Sequence, residues 1–310
     1  MDFHSDGVKI LGNQVKGCAF GVPLIFILRL RVTERKIPVC GIRSGFRIRG
    51  RKGKDIRMIN ILLCGANGKM GHAVRRAASQ SDEVRIAAGV DLNTECDEFP
   101  IYDSVLKLKS ADGIDCIIDF SHPTASETVL DWAAEYGVPA VICTTGLSKD
   151  QVSKLEFCAR KTPVFFSANM SIGVNLIKDL VCRAARILDG NFDIEIVEKH
   201  HNQKLDAPSG TALAIADAIS DAVSFDPQYV YDRHSVRKKR DKREIGIHSV
   251  RGGNIVGEHS VIFAGTDEVI EVKHSATSKE VFAVGAVKAA VFMKDKPAGL
   301  YNMEDLINEG

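Results

Sequence analysis

From Met58 onward, short apolar runs alternate with helix-like stretches, and this alternation constrains the fold more than any other feature of the sequence. Runs typical of strands occupy residues 58–64, 84–91, 114–120, 140–143 and 164–166, and helical patterns cover residues 68–79, 125–136 and 149–161. Strands that alternate with helices indicate a parallel sheet covered by helices on both faces. We therefore predict an α/β domain for the first part of the chain.

After about residue 171 the pattern changes. A helix is predicted over residues 174–188, a strand over 192–198 and a helix over 211–219. Three strands, 245–250, 255–263 and 268–274, are joined by glycine-containing turns and predict an antiparallel meander. We expect a smaller α+β domain over residues 171–282, with a mixed, largely antiparallel sheet. A last helix, 281–293, is expected to return to the first domain, which would comprise residues 58–170 and 283–310.

The charges are unevenly distributed, although the whole chain has 41 Lys plus Arg against 40 Asp plus Glu. Residues 1–57 carry 13 basic and 4 acidic side chains, which leaves 28 basic and 36 acidic ones for residues 58–310. An acidic body has no electrostatic footprint for nucleic acid. We expect no nucleic-acid partner.

The basic leader, residues 1–57, is expected to be a disordered extension or a mis-assigned start, with translation beginning at Met58. Its apolar run, residues 17–28, is shorter than the roughly 20 residues of a membrane helix and is interrupted by Pro23. Basic residues follow this run at once and no small-residue cleavage site is present, which disfavours a secretory signal. We expect no membrane association.

The eight cysteines never form a C-x-x-C pair, and several lie in apolar strand-like runs. Such a distribution is typical of reduced core cysteines in a cytoplasmic protein. It suggests no metal site.

A glycine-rich segment, GANGKMG over residues 65–71, follows the first predicted strand directly. Glycines at this point allow a tight turn and let backbone N–H groups approach a pyrophosphate at the start of the next helix. Asp91 ends the following strand, where an acidic side chain accepts hydrogen bonds from the adenosine ribose. We therefore predict a Rossmann-type dinucleotide-binding domain. A carboxylate at this point repels a ribose 2′-phosphate, so NADH is favoured, and NADPH is retained as an alternative.

The densest group of candidate catalytic residues reads EKHHNQKLDAPSGTA over residues 198–212. Ser209 can cap the predicted helix, which leaves the N–H groups of Gly210 and Thr211 available for a carboxylate. Lys204 adds a positive charge, and a histidine is a proton donor suited to neutral pH. Each residue alone could be an ordinary surface or capping residue. Their grouping favours a pocket for a small acidic substrate that is protonated during the reaction.

Residues 198–212 closely resemble the signature of the 4-hydroxy-tetrahydrodipicolinate reductase family, also called dihydrodipicolinate reductases, of the bacterial lysine and diaminopimelate pathway. The resemblance covers Met58 to about Leu306 in the family's order. It includes the glycine motif and residues 118–121, 144–146, 167–171, 173–175 and 255–259. The histidine signature is highly specific, whereas the glycine loop is shared by many dehydrogenases.

The resemblance implies NAD(P)H-dependent reduction of 4-hydroxy-tetrahydrodipicolinate to tetrahydrodipicolinate by a homotetramer. It implies that His200 is the acid/base residue and Lys204 a proton donor, and that His201, Gly210 and Thr211 contact the substrate dicarboxylate. The implied cofactor contacts are Gly65, Ala66, Asn67, Gly68, Lys69, Met70, Asp91, Cys143, Thr144, Thr145, Ser167, Ala168, Asn169 and Met170.

The chain departs from the family at Cys143, where relatives often carry glycine, and at His122, where some carry arginine. Two other functions stay open from the residues alone. Another Rossmann-fold reductase of a small imino or amino dicarboxylate would keep the glycine loop without needing both the histidine pair and the S-G-T helix start. A non-catalytic dinucleotide sensor would keep the glycine loop and Asp91 without the proton donors.

Overall fold

The structure, a computed structural model, describes residues 58–309. The expectations for the leader, residues 1–57, therefore lie outside the described residues. Within this range the strands are β1 (Ile59–Cys64), β2 (Val84–Val90), β3 (Ile101–Tyr102), β4 (Cys116–Asp119), β5 (Ala140–Ile142), β6 (Pro163–Phe166), β7 (Asp193–His200), β8 (Gln228–Val230), β9 (Glu244–Arg251), β10 (Gly257–Ala264), β11 (Val269–Ala276) and β12 (Gly299–Tyr301).

The helices within the same residues are α1 (Lys69–Ser79), α2 (Pro123–Tyr136), α3 (Lys149–Ala159), α4 (Ile172–Leu188), α5 (Gly210–Ser220), α6 (Glu280–Phe292) and α7 (Met303–Asn308). None of these helices has the length and apolar character that crossing a membrane requires.

The first sheet contains seven parallel strands in the order β12-β6-β5-β4-β1-β2-β3. All six residues of β1 are buried, because helices cover both faces of the sheet. Ile61 and Leu63 face a core that includes α1 and α6, whereas Leu62 and Cys64 face a core that includes α2 and α3. The predicted Rossmann-type α/β sheet is confirmed.

The second sheet is mixed, as expected, with the order β11-β10-β7-β9-β8. Antiparallel pairing is limited to β10 with β11 and β10 with β7, since β7 pairs with β9 and β9 with β8 in parallel. The predicted three-strand meander is therefore wrong, because β7 lies between β9 and β10. The glycine-containing turn at residues 251–254 reverses the chain but does not determine which strand becomes the neighbour.

Strand β7 is the central strand of the second sheet, and its residues are alternately partly exposed and buried. Its inner face carries Ile194 and Ile196, which pack against a core formed with α4 and α5. The strand continues two residues beyond its predicted end. His200 is consequently its last residue, pairs with Arg251 of β9 and accepts a hydrogen bond from the Gly252 N–H through its carbonyl oxygen.

Helix α6 packs against α1 and against the first sheet. Its Gly285 lies directly against the backbone of Met170, at the end of the segment that follows β6. The return of the last helix to the first sheet thus agrees with the sequence expectation. The domain boundaries at residues 170 and 282 stay a prediction, since all of the described residues, 58–309, belong to one compact unit.

The six cysteines of the described residues are all unpaired. Cys64, Cys116, Cys143 and Cys158 are buried, and burial raises the pKa of each of these thiols. These four are therefore core residues in the thiol form, as the strand-like surroundings of several of them predict.

Gly285→Ala is expected to destabilise the protein, because a Cβ at this position would lie 1.7 Å from the carbonyl oxygen of Met170. Separating α6 from that segment should lower the free energy of unfolding by about 1–3 kcal/mol, as measured by urea denaturation followed by circular dichroism. The exposed Val284 on the same helix supplies the control, since Val284→Ala should change the free energy by less than about 0.5 kcal/mol. Equal stability of the two variants would contradict the close packing of α6.

Candidate active site

A cleft of about 710 Å³ lies where the strands of the first sheet end. The segments that follow β4, β5 and β6 line it, together with the starts of α1 and α6. Its lining residues are Met70, Phe120, Ser121, His122, Pro123, Cys143, Thr144, Thr145, Gly146, Ala168, Asn169, Met170 and Phe282. Open parallel sheets bind nucleotides in such a crevice, beyond the carboxyl ends of their strands.

Half of the residues implied as cofactor contacts line this cleft, namely Met70, Cys143, Thr144, Thr145, Ala168, Asn169 and Met170. The other half, Gly65, Ala66, Asn67, Gly68, Lys69, Asp91 and Ser167, are not among the lining residues. All but two of those lie in the glycine turn that leads into α1. Sequence reasoning gave no cofactor role to residues 120–123, although their position directly after β4 could have indicated it.

The glycine turn has the geometry that a pyrophosphate site requires. Gly65 has a φ of +77°, and a Cβ at Gly71 would lie 2.2 Å from the carbonyl oxygen of Gly65. Gly68 caps α1 without any side-chain hydrogen bond to the first turn, so this helix start is open to an anion. The residues present therefore fit a dinucleotide.

Asp91 lies against the same turn, because its carboxylate accepts a hydrogen bond from the Asn67 N–H at 2.9 Å. Its other oxygen accepts from the Asn93 N–H at 3.1 Å. Arg75 is held nearby, with one guanidinium nitrogen 3.2 Å from the Asn67 side-chain oxygen and another 2.9 Å from a Glu98 carboxylate oxygen. A carboxylate thus stands beside the turn, and the nearest arginine is already paired.

A buried carboxyl group, which the sequence did not single out, joins the loops around the cleft. Asp119 ends β4 and accepts hydrogen bonds from the Ser126 hydroxyl at 2.5 Å and the Thr144 hydroxyl at 3.3 Å. Burial raises its pKa, although these hydrogen bonds oppose the rise. The Cys143 thiol in the next loop is directed at the carbonyl oxygen of Val141, 3.8 Å away, so its side chain packs into the core.

The second group of candidate residues lies where β7 ends. His200 is buried, and its Nδ1 is 2.6 Å from a carboxylate oxygen of the fully buried Glu198. The imidazole lines a small cavity of about 50 Å³ together with Thr211 and two histidines from neighbouring strands, His259 of β10 and His274 of β11. Three imidazoles therefore meet beside the start of α5.

The start of α5 is capped by Ser209, whose hydroxyl oxygen accepts from the Ala212 N–H at 3.2 Å. The same oxygen is 3.1 Å from Nε2 of His259. Gly210 is the first residue of the helix, and Thr211 follows it. The predicted cap and the predicted anion-binding turn therefore lie beside the cavity of His200.

The ammonium group of Lys204 is 2.9 Å from a carboxylate oxygen of Asp206. The hydrogen bond to Lys204 is the largest of the influences that lower the pKa of Asp206, and the backbone N–H of Gly210 lowers it further. Lys204 and Gly210 therefore converge on one carboxylate. His201 is partly exposed and, among the described residues, is not one of those that line the two cavities.

Asn169 connects the two groups of residues. It lines both the cleft and the small cavity, and its side-chain nitrogen is 3.2 Å from the hydroxyl oxygen of Thr211. Phe282 lines both spaces as well. The end of the first sheet and the start of α5 are thus parts of one site.

Two neighbouring groups of this site differ in charge at neutral pH. Burial alone would raise the pKa of Glu198, but hydrogen bonds from Arg251 and three further donors outweigh it and lower the pKa to about 2. Burial, reinforced by His200, lowers the pKa of His259 to about 4. At neutral pH the site therefore holds a carboxylate and an uncharged imidazole side by side.

Sequence reasoning gave no role to Glu198, Arg251, His259 or His274. Glu198 and His259 lie in segments that resemble the family, residues 198–212 and 255–259. Only the strand order of the second sheet brings all four residues together. No group of three or more His, Cys, Asp or Glu side chains within residues 58–309 is arranged to hold a metal ion.

Comparison with known families gives two matches that together span nearly all described residues. The family model "Dihydrodipicolinate reductase, N-terminus" matches residues 59–170, and "Dihydrodipicolinate reductase, C-terminus" matches residues 173–307.

Proteins of similar sequence are named 4-hydroxy-tetrahydrodipicolinate reductase. The chain is 50% identical over 253 residues to 4-hydroxy-tetrahydrodipicolinate reductase of Caldanaerobacter subterraneus subsp. tengcongensis, covering 82% of this chain and 100% of the relative. It is 47% identical over 252 residues to the protein of that name from Clostridium tetani, covering 81% and 98%. A dipicolinate-bound dihydrodipicolinate reductase from Paenisporosarcina sp. TG-14 has a similar fold, with a TM-score of 0.67, 24% identity and coverage of 79% and 98%.

The protein is expected to lose stability as the pH falls from 6.5 towards 4, because the unfolded chain binds a proton at His259 and the folded protein does not. This one group accounts for up to about 2 kcal/mol between pH 7 and pH 5. Urea denaturation at both pH values measures the loss, which should be smaller in His259→Asn than in the unaltered protein. The matched control is His72→Asn, at an exposed position on α1. An equal loss in the His259 variant would contradict the neutral state of that imidazole.

Proposed function

Because this chain belongs to the dihydrodipicolinate reductase family, we propose that it reduces 4-hydroxy-tetrahydrodipicolinate to tetrahydrodipicolinate at the site joined by Asn169. It is an NAD(P)H-dependent oxidoreductase of lysine and diaminopimelate biosynthesis. The substrate gains one hydride and one proton and loses one water molecule, while NAD(P)H becomes NAD(P)⁺. The observation that carries the proposal is the contact between Asn169 and Thr211, which joins the cofactor cleft to the start of α5.

The cofactor is held by the glycine turn of residues 65–70 and by the segments after β5 and β6. Backbone N–H groups at the start of α1 bind the pyrophosphate, and Asp91 accepts hydrogen bonds from the ribose. When bound, the reduced nicotinamide supplies the hydride. Thr144, Thr145 and Asn169, which line the cleft, would hold the nicotinamide end of the cofactor.

The substrate dicarboxylate binds where α5 begins. Gly210 and Thr211 offer backbone N–H groups at the positive end of this helix, while Lys204 and His201 add side-chain donors. In the free protein the Asp206 carboxylate is paired with Lys204. A substrate carboxylate therefore replaces, or shares, this internal partner when it binds.

His200 and Lys204 act as the proton donors. His200 is buried beside the start of α5 and lines the small cavity there, so it is placed to donate a proton to a substrate bound at this helix start. The protein contributes placement of the substrate and stabilisation of its charge, which are the effects that lower the barrier of a hydride transfer between two bound molecules.

Purified full-length protein tests the function directly. The substrate is generated by an upstream synthase, and oxidation of NADH and of NADPH is followed by absorbance at separate cofactor concentrations. The proposal expects cofactor oxidation that depends on the synthase. Cofactor binding without oxidation would instead support a dinucleotide sensor, and oxidation with a different imino or amino dicarboxylate alone would support another reductase.

We propose NADH as the preferred cofactor, because Asp91 places a carboxylate where a 2′-phosphate would lie. Asp91→Ser is expected to raise the ratio of kcat/KM with NADPH to kcat/KM with NADH by about tenfold. Asp97→Ser, which removes an exposed carboxylate six residues further along the chain, serves as the control and should leave the ratio unchanged. A ratio that does not move in the Asp91 variant would refute the assignment.

Lys204→Ala is expected to reduce kcat/KM strongly, because it removes a positively charged donor positioned at the substrate. The loss of transition-state stabilisation should be about 2–4 kcal/mol, measured in the same assay. Lys199 lies on the other face of β7, paired with Glu258, and Lys199→Ala should leave kcat/KM within about twofold. Unchanged turnover in Lys204→Ala would remove this residue from the mechanism.

The family resemblance further implies a cytoplasmic homotetramer. Helices α4 and α5 cover only one face of the second sheet, and the opposite face carries Val250 and Val269 with 44% and 64% of their surface exposed. The same face carries the ion pairs of Lys199 with Glu258 and of Glu195 with Arg240, so the exposed valines lie among charged side chains. We propose that copies of the chain associate through this face, which α4 and α5 leave uncovered.

A further inference from the structure

A single buried carboxylate connects the parts of the proposed active site. Glu198 has no exposed surface, and both of its oxygens are used. One oxygen is 2.6 Å from Nδ1 of His200 and 2.8 Å from Nη1 of Arg251. The other accepts from Nη2 of Arg251 at 2.6 Å and from the Ser209 N–H at 3.1 Å. We call these four residues the Glu198 network.

The contact with Glu198 fixes which nitrogen of His200 carries a proton in the neutral ring. An ionised carboxylate can only accept hydrogen bonds, so Nδ1 of His200 must be the donor. Nε2 is then the nitrogen that gains and loses the second proton. A Cβ at Gly257 would lie 3.1 Å from this Nε2, and Gly257 lines the same small cavity as His200. The exchangeable proton is therefore on the side of the cavity.

The same carboxylate also holds the start of α5. It accepts from the backbone of Ser209, the residue that caps the helix and precedes the N–H groups of Gly210 and Thr211. Arg251 extends the network to the loop of Lys204, because its Nη2 donates to the carbonyl oxygen of Asp206 at 2.7 Å. One buried group thus positions both the proton donor and the anion-binding turn.

The ionisable groups around His200 come from each strand packed against it. Glu198 lies on its own strand and Arg251 on β9, while His259 and His274 reach it from β10 and β11. Lys204 lies in the loop that follows β7. Within residues 58–309, Glu198 is the carboxylate paired with the His200 ring, and Arg251 partly neutralises its charge.

We propose that Glu198 is a positioning residue for the reduction. Its carboxylate orients His200 so that the ring donates its proton from Nε2, and the same carboxylate fixes the start of α5. The positive charge of Arg251 offsets part of the negative charge of Glu198. Arg251 therefore limits how strongly Glu198 stabilises the protonated imidazole of His200. This inference rests on the proposed function, because it assigns the proton of the reaction to His200.

The chain contains a matched control on the opposite face of the same strand. Glu195 also pairs with an imidazole, with 2.7 Å to Nε2 of His248, and with a guanidinium, with 2.9 Å to Nε of Arg240. Residues three apart on a strand point to opposite faces, so this group lies away from the cavity of His200. Glu195→Gln removes a carboxylate of the same kind without touching the Glu198 network.

The first measurement requires no assay of activity. Full-length protein labelled with ¹⁵N-histidine is titrated by NMR, and His200 is assigned by comparison with His200→Asn. The neutral ring of His200 is expected to carry its proton on Nδ1 in the unaltered protein, and this preference should weaken or reverse in Glu198→Gln. A proton on Nε2 of the neutral ring in the unaltered protein would overturn the proposal, whether or not any variant folds.

The second measurement is the pH profile of kcat/KM. Glu198→Gln should lower kcat/KM by roughly 10- to 100-fold and move the alkaline limb of the profile to lower pH, because the charged imidazole loses its carboxylate. Arg251→Gln should move the same limb to higher pH, because the carboxylate is no longer neutralised. Glu195→Gln should leave the limb unmoved.

The outcomes separate this inference from the function on which it rests. Absence of reduction in the unaltered protein would defeat the proposed function, and the NMR result on His200 would still decide the tautomer. Suppose instead that reduction is normal and that the alkaline limb of the pH profile of kcat/KM is the same in Glu198→Gln, Arg251→Gln and the unaltered protein. This result would leave the function intact and overturn the role of Glu198. Shifts in opposite directions, with no shift in Glu195→Gln, are the result that the proposal expects.

Discussion

The site depends on the segment of residues 167–171, which follows β6 of the first sheet and leads into α4. Asn169 lies at its centre and is held on several sides. Its carbonyl oxygen accepts from the side chains of Ser167 and Asn175, and its side-chain oxygen accepts from the Ser171 N–H. Its side-chain nitrogen is left to bond Thr211 at the start of α5. Because Gly285 allows α6 to lie directly on Met170, the end of this segment is tightly packed against the first sheet's helix layer.

Around the start of α5, the buried charge of Glu198 is paired inside the protein, whereas the pair of Lys204 and Asp206 lies nearer the surface. Glu198 is ionised inside the protein because Arg251 binds it through two nitrogens and backbone and imidazole donors complete its hydrogen bonds. His259 is kept neutral by burial, so it does not compete with His200 for this carboxylate. The pair of Lys204 and Asp206 is different, because the Asp206 side chain is exposed and its carboxylate can move aside. A fully paired carboxylate inside and an ion pair near the surface that can exchange its partner are suited to a pocket that binds and releases a dicarboxylate.

The sequence predicted five of the seven strands of the first sheet, because these five are continuous apolar runs. The two edge strands, β3 and β12, were missed, since they are only two and three residues long. The sequence also grouped the residues of 198–212 into one site, since these lie close together along the chain. The predicted meander failed, because the turn at residues 251–254 carries no information about β7 inserting between β9 and β10. For the same reason the roles of Arg251 and His259 were not foreseen. Arg251 contacts Glu198 and His259 contacts Ser209 because of the strand order of the second sheet. The spacing of these residues along the chain does not predict either contact.

A structure of the full chain with NADH and dipicolinate bound tests the central claim most directly, namely that the cleft and the start of α5 form one site. The account predicts one dicarboxylate oxygen within hydrogen-bonding distance of the Gly210 and Thr211 N–H groups, Lys204 turned from Asp206 to the ligand, and the nicotinamide between the ligand and Thr144. A dicarboxylate bound away from α5, with the pair of Lys204 and Asp206 intact and Asn169 no longer in contact with Thr211, would contradict it.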